Sequence, residues 1–193
     1  MELPKPRIKG GMPLHEAIFG RESVRGFSAK ALTPEEISQL LWSAQGRTRP
    51  WGGRSAPSAG ALYPLELYVA DRGGVYHYIS RSHQLVRLSS QDVLSSLSAA
   101  ALGQECVRQA PAVIVIAAVY ERIEKKYGKR GERYVKIEAG HAAQNILLQA
   151  VSLGLGAVPV GAFYDDRVRS VLNIPADHEP LYLIPIGHAA GGK

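Results

Sequence analysis

The feature that most constrains the fold is an uninterrupted apolar run at residues 112–119, AVIVIAAV. A strand with one face in water alternates apolar and polar side chains, whereas a strand buried on both faces does not. The run therefore predicts a central strand that other elements cover on both sides. With 193 residues, of which 46% are hydrophobic, the chain can supply those covering layers within one domain.

The elements around this strand follow no strict βαβ rhythm. Further strands are predicted at 65–70, 74–79, 84–88, 157–160 and 181–187, the first three spaced like an antiparallel meander. Helices are predicted at 14–20, 34–45, 91–109, 131–153 and 165–172. We expect an α+β fold in which helices flank a central, mostly antiparallel sheet. Residues 1–13 are expected to form an irregular arm, and residues 14–193 a single domain.

The second helix carries the clearest start signal. Thr33 is placed to cap it, Pro34 occupies the first helical position, and Glu36 completes a capping box. After this helix, residues 46–61 form a loop rich in Gly, Pro, Ser and Arg. Loops of this length are uncommon in compact domains unless they have a function, so we expect a functional loop here.

Charge and cysteine content narrow the class of protein. The net charge of +6 fits an anionic ligand such as a phosphate-bearing cofactor, and it also permits nucleic acid. Cys106 is the one cysteine, and we expect an inert thiol in a reducing compartment. No apolar run reaches the roughly 20 residues of a membrane helix. The first residues are polar and proline-rich rather than signal-like, so a cytoplasmic location without membrane contact is expected.

Two segments resemble known binding motifs but lack features that those motifs require. Residues 154–159, GLGAVP, begin like a dinucleotide fingerprint, but they follow a helix and proline replaces the third glycine. We interpret them as a helix end that leads into a strand. Glu138 and His141 have the Glu-x-x-His spacing of di-iron bundles, but the chain contains no second copy. We therefore expect a buried polar pair or a dimer contact there, and no metal site.

Three short segments carry functional chemistry. In residues 21–27, RESVRGF, Arg21 can bind a phosphate through two parallel hydrogen bonds and Ser23 can donate to the same group. Residues 55–69, SAPSAGALYPLELYV, are a loop of small residues that enters a strand and lets backbone approach a flat ligand. The third segment, residues 158–163, is VPVGAF. Each pattern alone is also typical of ordinary loops and solvated helix ends.

In their order and spacing, these segments resemble the nitroreductase family of FMN-dependent oxidoreductases, and most closely its SagB-type dehydrogenase branch. The resemblance covers residues 14–188 and is carried by Arg-x-Ser-x-Arg-x-Phe at 21–27, PSAG at 57–60, and GLGA before PVGAF at 154–163. It implies a homodimer with FMN at the subunit interface. The metal-free chemistry would then reside on flavin N5, with no catalytic side chain required.

The resemblance also implies roles for individual residues. Arg21 and Ser23 would hold the FMN phosphate, and Arg25 would stabilise negative charge at the N1/C2 carbonyl edge of the reduced flavin. Pro57, Ser58 and Ala59 would reach the flavin from the partner subunit. The remaining candidate flavin contacts are Gln104 at the ring or ribityl chain and Pro159, Val160 and Gly161 on the other face, with a backbone N–H near N5.

The chain departs from the family at its end. Members commonly place a Lys/Arg cluster on the phosphate, whereas residues 187–193 read GHAAGGK, so that His188 or Lys193 would have to serve. The activity implied is ping-pong reduction of nitroaromatics, quinones or similar small acceptors by NADH or NADPH. The loop at 46–54, with its arginines and Trp51, is a candidate gate for substrates.

Three other functions remain open at this point. The protein could be an azoline-type oxidase that acts on a peptide, or another FMN-dependent oxidase. It could bind or store flavin without turnover. From a different class, the basic loop RTRPWGGR at 47–54 has the arginines and the stacking aromatic of a nucleic-acid-binding module. The single aromatic makes nucleic acid an unlikely partner.

Overall fold

The computed structural model describes residues 1–191. Its helices and strands, numbered along the chain, are α1 (Leu14–Gly20), α2 (Pro34–Gln45), β1 (Leu65–Asp71), β2 (Gly74–Ile79), β3 (Gln84–Ser89), α3 (Leu94–Ala100), α4 (Glu105–Gln109), β4 (Ala112–Ala118), α5 (Glu121–Tyr127), α6 (Arg130–Ser152), β5 (Gly156–Ala157), α7 (Asp165–Leu172) and β6 (Glu179–Gly187). The loop between α2 and β1 contains one turn of 3-10 helix, Ala59–Ala61.

One six-stranded sheet, in the order β3-β2-β1-β4-β6-β5, runs through the middle of the protein. All pairings between its strands are antiparallel. Strand β4 lies between β1 and β6, and each of its seven residues is buried. The apolar run at 112–119 is thus a central strand, and the prediction of an antiparallel α+β fold is confirmed.

Each face of the sheet has its own hydrophobic core. Alternate residues of β1 and β4, including Leu67 and Ile116, pack with α2 and α6 on one face. The intervening residues, including Tyr68 and Val115, pack with α3, α4 and α7 on the other. The sheet therefore separates the two helix layers, so that a binding site can form from the loops at the ends of its strands.

Helix α2 begins as its sequence predicts. The Thr33 side chain accepts a hydrogen bond from the Glu36 N–H (3.2 Å), and the Glu36 carboxylate accepts one from the Thr33 N–H (2.7 Å). This reciprocal capping box satisfies two backbone donors that a helix start otherwise leaves unpaired. The predicted long helix is also present as α6, with nine buried residues along its 23-residue length.

Three predictions of secondary structure were wrong in detail. The helix expected at 91–109 is divided into α3 and α4, because Leu102 and Gly103 take positive φ angles of 59° and 74° and end the first helix. The short strand expected at 157–160 is β5 at Gly156–Ala157, followed by an isolated bridge between Val160 and Leu183. Helix α5 was not predicted, since Ile123 is its one buried residue and no apolar stripe marks it.

The first residues of the chain pair with β3. The Met1 amino group donates to the Leu85 carbonyl (2.7 Å), and the Leu3 N–H donates to the His83 carbonyl (3.3 Å). Glu2 forms an antiparallel bridge with Gln84. The start of the arm is therefore joined to the sheet.

Candidate functional site

Residues 21–27 lie against β5. The Val24 N–H donates to the Ala157 carbonyl (3.0 Å), and Ser23 forms a parallel bridge with Ala157. A Cβ on Gly156 would lie only 2.5 Å from Val24 Cγ1, which is closer than real Cβ contacts allow. Glycine at position 156 thus lets the two segments touch, and the Arg-x-Ser-x-Arg motif is held at one end of the sheet.

The polar side chains of this motif are available to a ligand. Ser23 and Arg25 are exposed and Arg21 is half-buried. Within residues 1–191, no side-chain hydrogen bond or ion pair engages any of the three. Arg25 lies near Cys106 at the start of α4, where its positive charge acts on the thiol. The motif therefore offers two guanidinium groups and one hydroxyl, a donor set suited to an anion.

Gln104 joins the α3–α4 turn to the segment after β5. Its Nε2 donates to the Ala101 carbonyl (2.9 Å) and to the Ala162 carbonyl (2.8 Å). Because both amide hydrogens are used within the protein, the group that Gln104 can offer a ligand is its Oε1 acceptor. The hydrogen bond to Ala162 brings the predicted Gln104 and the predicted segment 159–161 together.

The segment after β5 exposes backbone donors. Val160 is buried and exchanges two hydrogen bonds with Leu183 (2.8 and 3.0 Å), which fixes the segment against β6. Pro159 is half-buried and Gly161 is exposed. Among the described residues, the N–H groups of Gly161 and Ala162 donate to no backbone or side-chain acceptor. Their donors are thus free to point at a ligand beside Gln104.

The loop with Pro57, Ser58 and Ala59 lies elsewhere. Its neighbours are α5 and α6: a Cβ on Gly60 would lie 2.8 Å from Tyr127 Oη and 3.0 Å from Lys126 Nζ. The Ser58 hydroxyl accepts a hydrogen bond from the Tyr63 N–H (2.9 Å) rather than standing free. Among residues 1–191, no hydrogen bond joins this loop to Arg21, Ser23, Arg25 or the segment 159–162. One chain therefore divides the predicted flavin contacts into two separate groups.

A buried carboxyl supports this loop from α6. Glu138 is 2% exposed, its Oε1 accepts from Gln45 Nε2 (3.4 Å), and Arg54 Nη1 donates to Gln45 Oε1 (2.9 Å). Burial raises the pKa of Glu138 to about 7, and the nearby Ser58 hydroxyl, the Gln45 amide and the Arg54 charge oppose that shift. The carboxyl can therefore exchange a proton near neutral pH.

The Glu138 and His141 pair differs from its prediction. Glu138 is buried whereas His141 is exposed, so the two do not form a buried polar pair. His141 lies on an outer face of α6 and stays available to a dimer contact. Within residues 1–191, no cluster of three His, Cys, Asp or Glu side chains could hold a metal ion.

The basic loop at 46–54 is a compact turn. Arg47 and Arg54 form an antiparallel bridge, and the Thr48 N–H donates to the Gly53 carbonyl (2.8 Å). Trp51 stands at the tip, 80% exposed, while Arg54 is half-buried at the base. The loop thus has a solvent-facing aromatic tip and an arginine directed to the protein interior.

The residues near the chain end lie beside residues 26–28: the Ala190 N–H donates to the Gly26 carbonyl (3.0 Å), and the Ser28 N–H donates to the His188 carbonyl (2.8 Å). His188 lines a groove of about 590 Å³ together with Glu22, Val24 and Gly26, the residues that alternate with Ser23 and Arg25. Its Nε2 lies 3.6 Å from the Glu36 carboxylate. That negative charge disfavours an anion beside His188. Lys193, the other predicted phosphate ligand, lies outside the described residues.

Cys106 is 7% exposed, and burial raises the pKa of its thiol, so the neutral and weakly nucleophilic form is favoured.

Sequence reasoning missed Lys126 and Tyr127, which lie beside Gly60, because it missed α5. It also missed the support that Glu138 gives the loop. The only sequence signals were a glycine among small residues in the loop and an acidic residue on an otherwise apolar face of α6.

In the part of the chain that the structure covers, none of the helices combines the length and the apolar character needed to cross a bilayer.

Comparisons with known proteins agree on one family. The family model of the Nitroreductase family matches residues 18–188. A Methanocaldococcus jannaschii protein named as a nitroreductase is 46% identical over 193 residues, 97% of this chain and 96% of that protein. The FMN reductase (NADPH) of Bacillus subtilis is 27% identical over 189 residues, 91% of this chain and 65% of that protein. The crystal structure of a Ralstonia eutropha protein described as a nitroreductase has a TM-score of 0.89 at 33% identity and covers 98% of this chain and 89% of that chain.

Proposed function

Because the chain belongs to the nitroreductase family, as its resemblance predicted, we propose that it is an FMN-dependent oxidoreductase. It would use NADH or NADPH to reduce nitroaromatics, quinones or similar small acceptors in alternating half-reactions. One observation carries the proposal. Arg21 and Arg25, free of side-chain partners within residues 1–191, belong to the segment that lies against β5, and the free N–H groups of Gly161 and Ala162, with Gln104 bound to Ala162, belong to the segment that follows β5.

The donor set suits FMN. When bound, FMN supplies hydride-transfer chemistry at its N5 position. Arg21 and Ser23 have no other partners within residues 1–191, so they are free to bind a phosphate. Arg25 would supply a positive charge that stabilises an electron-rich ring edge. We do not assign the phosphate to His188, because Glu36 lies 3.6 Å from its ring.

The other residues orient and shield the ring. Gln104 Oε1 can accept from a ring N–H or a ribityl hydroxyl, since both Gln104 amide hydrogens are already donated. Pro159 and Val160 would cover one face, and the N–H of Gly161 or Ala162 could donate to a ring nitrogen. No side chain needs to act as an acid or base in this scheme, since orientation and electrostatics are the contribution of the protein.

We further propose that the active form is a homodimer. The loop with Pro57 and Ala59 is tied to α5 and α6, away from Arg25, so a second subunit is the natural source of that contact. The single chain also exposes large apolar side chains on α1, among them Leu14, Ile18 and Phe19, the last 94% exposed. Apolar patches of this kind mark interaction surfaces.

The visible absorption spectrum of the purified protein tests the proposal, followed by anaerobic addition of NADPH and then NADH. Flavin bands at about one FMN per subunit that bleach with either nucleotide would support a reductase. A colourless protein that takes up no added FMN would overturn it. Light scattering on the same sample gives the mass, and a monomer that holds FMN and turns over would overturn the dimer.

A second candidate is an oxidase that acts on a peptide azoline or a related substrate. It is favoured by Lys126 and Tyr127, whose ionisable atoms stand beside Gly60 of the loop. Removal of two hydrogens from a substrate as a hydride and a proton requires a route for the proton as well as a hydride acceptor, and the Tyr127 hydroxyl with the exposed Lys126 amine would pass that proton to solvent. Flavin that stays oxidised with both nucleotides, but bleaches with an azoline peptide, would decide for the oxidase.

A further inference from the structure

The loop that follows Ser58 has a strained backbone. Gly60, Ala61 and Tyr63 all take positive φ angles, of 62°, 54° and 49°. Glycine adopts this region freely, but alanine and tyrosine do so at a cost in free energy. Such a conformation persists only where surrounding contacts over-determine it.

The contacts that hold this backbone conformation are made by Tyr63. Its N–H donates to Ser58 Oγ (2.9 Å), and its carbonyl accepts from Arg122 Nη1 (3.3 Å). Its hydroxyl accepts from the Arg54 N–H (3.2 Å), and the Arg54 guanidinium lies over its ring. Every polar group of Tyr63 is thus engaged, and three of its four contacts are made by Ser58 or Arg54.

Glu138 is joined to Arg54 through Gln45. Its Oε1 accepts from Gln45 Nε2 (3.4 Å), and Gln45 Oε1 accepts from Arg54 Nη1 (2.9 Å). Glu138 Oε2 is buried and has no hydrogen-bond partner within residues 1–191, so the hydrogen bond to Gln45 is what connects the carboxyl to the loop.

We propose that Glu138 is the positioning residue of the Ser58–Tyr63 loop. It holds Gln45, Gln45 holds the Arg54 side chain over the Tyr63 ring, and the strained turn that ends at Tyr63 presents the backbone of Pro57–Ala59 to a ligand. The identity of that ligand, the flavin of a second subunit, rests on the proposed function. The mechanical link from α6 to the loop does not. Glu138 touches no reacting atom and is therefore not a catalytic residue.

Hydrogen exchange of the full-length protein, measured without added FMN, tests the link directly. The Tyr63 amide reports on its hydrogen bond to Ser58. We expect Glu138→Ala and Ser58→Ala each to speed exchange over residues 59–63 by tenfold or more, with β4 unchanged. The matched control is Glu132→Ala on the same helix, whose exposed carboxylate pairs with Lys136 and should leave the loop as it is.

Glu138→Gln separates positioning from charge. A glutamine carbonyl can still accept from Gln45, so this variant should restore protection to within about twofold of the parent. Loop exchange that stays within twofold of the parent in Glu138→Ala, while Ser58→Ala speeds it, would overturn the inference. If Glu138→Ala does not fold, Gln45→Ala, which removes the same link to Arg54, takes its place and should speed loop exchange equally.

FMN affinity gives a second readout. Glu138→Ala should weaken FMN binding by about tenfold and raise the KM for the acceptor more than it lowers kcat, because geometry rather than chemistry is lost. A parent that binds no FMN would end the proposed function, while the exchange data would still decide the role of Glu138. A parent that binds FMN, with a Glu138→Ala variant unchanged in exchange and affinity, would end the inference alone.

Discussion

The guanidinium of Arg54 lies over the ring of Tyr63, with Cζ 4.5 Å from the ring centroid, while the Arg54 backbone N–H donates to the Tyr63 hydroxyl. Arg54 thus contacts Tyr63 twice, with its guanidinium at the ring and with its backbone N–H at the hydroxyl. The same guanidinium donates to Gln45, which links the pair to the interior.

Replacing Arg54 by Met should lower the free energy of unfolding by about 1–2 kcal/mol, because the cation–π contact and one buried hydrogen bond are lost while the aliphatic stem is kept. Urea unfolding at constant pH measures the change. Arg81→Met, at an exposed position, is the control and should stay within about 0.5 kcal/mol of the parent. Equal losses in both variants would mean that the Tyr63 contact contributes nothing specific.

The pH dependence of stability should carry the signature of Glu138. Its pKa is about 7 in the folded protein against 4.5 for the ordinary carboxyl, so the folded state binds more protons between these values. Stability therefore falls as pH rises from about 4.5 through 7, by up to about 3 kcal/mol. Glu138→Gln removes this slope.

Urea unfolding of parent and Glu138→Gln between pH 5 and 8 checks the prediction. His83 and His178, whose pKa values are lowered by burial, contribute the opposite slope, but they contribute it equally to both proteins. The difference between the two curves therefore isolates Glu138. Parallel curves would refute the assignment of a raised pKa.

Gly156→Ala should be destabilising. Its new methyl would lie 2.5 Å from Val24 Cγ1, so the Arg-x-Ser-x-Arg segment has to move away from β5. We expect a loss of about 1–3 kcal/mol and weaker FMN binding. Gly26→Ala is the matched control within the same segment, because its new methyl meets its nearest atom at 3.8 Å. Thermal unfolding and FMN titration read out both effects, and a neutral Gly156→Ala would show that the two segments yield easily.

Arg21→Ala should weaken FMN binding by about 10- to 100-fold, the range expected when a charge-assisted hydrogen bond to a phosphate is lost. Free riboflavin, which lacks the phosphate, should bind parent and variant alike. Arg72→Ala removes an exposed charge on a β1–β2 turn and serves as the control. Equal weakening for FMN and riboflavin would place Arg21 somewhere other than at the phosphate.

How much of the site the sequence predicts depends on the distance between partners. The Thr33 cap and the central strand were predictable because their causes lie within a few residues. The family followed from three motifs in order. Glu138 was interpreted through its neighbour His141, whereas its actual partner Gln45 lies 93 positions away. Spacing along a helix cannot reveal such contacts, because packing between helices creates them.

The interruption of the helix predicted at 91–109 also depends on contacts between residues that are distant in the sequence. Its Ser/Ala composition permits a helix throughout, and only Gly103 signals the turn that places Gln104 against Ala162. Helix α5 was missed because a short helix with one buried residue leaves no periodic pattern. In both places, tertiary contacts decide what local propensity leaves undetermined.

The pairing of residues 1–3 with β3 has a consequence for self-association. An open sheet normally presents bare backbone at both margins, where a strand of another molecule can add and start a fibril. Here residues 1–3 occupy part of one margin, and residues 21–24 lie along β5 at the other. Part of each margin is therefore already paired, and extension of the sheet from one molecule to the next is disfavoured.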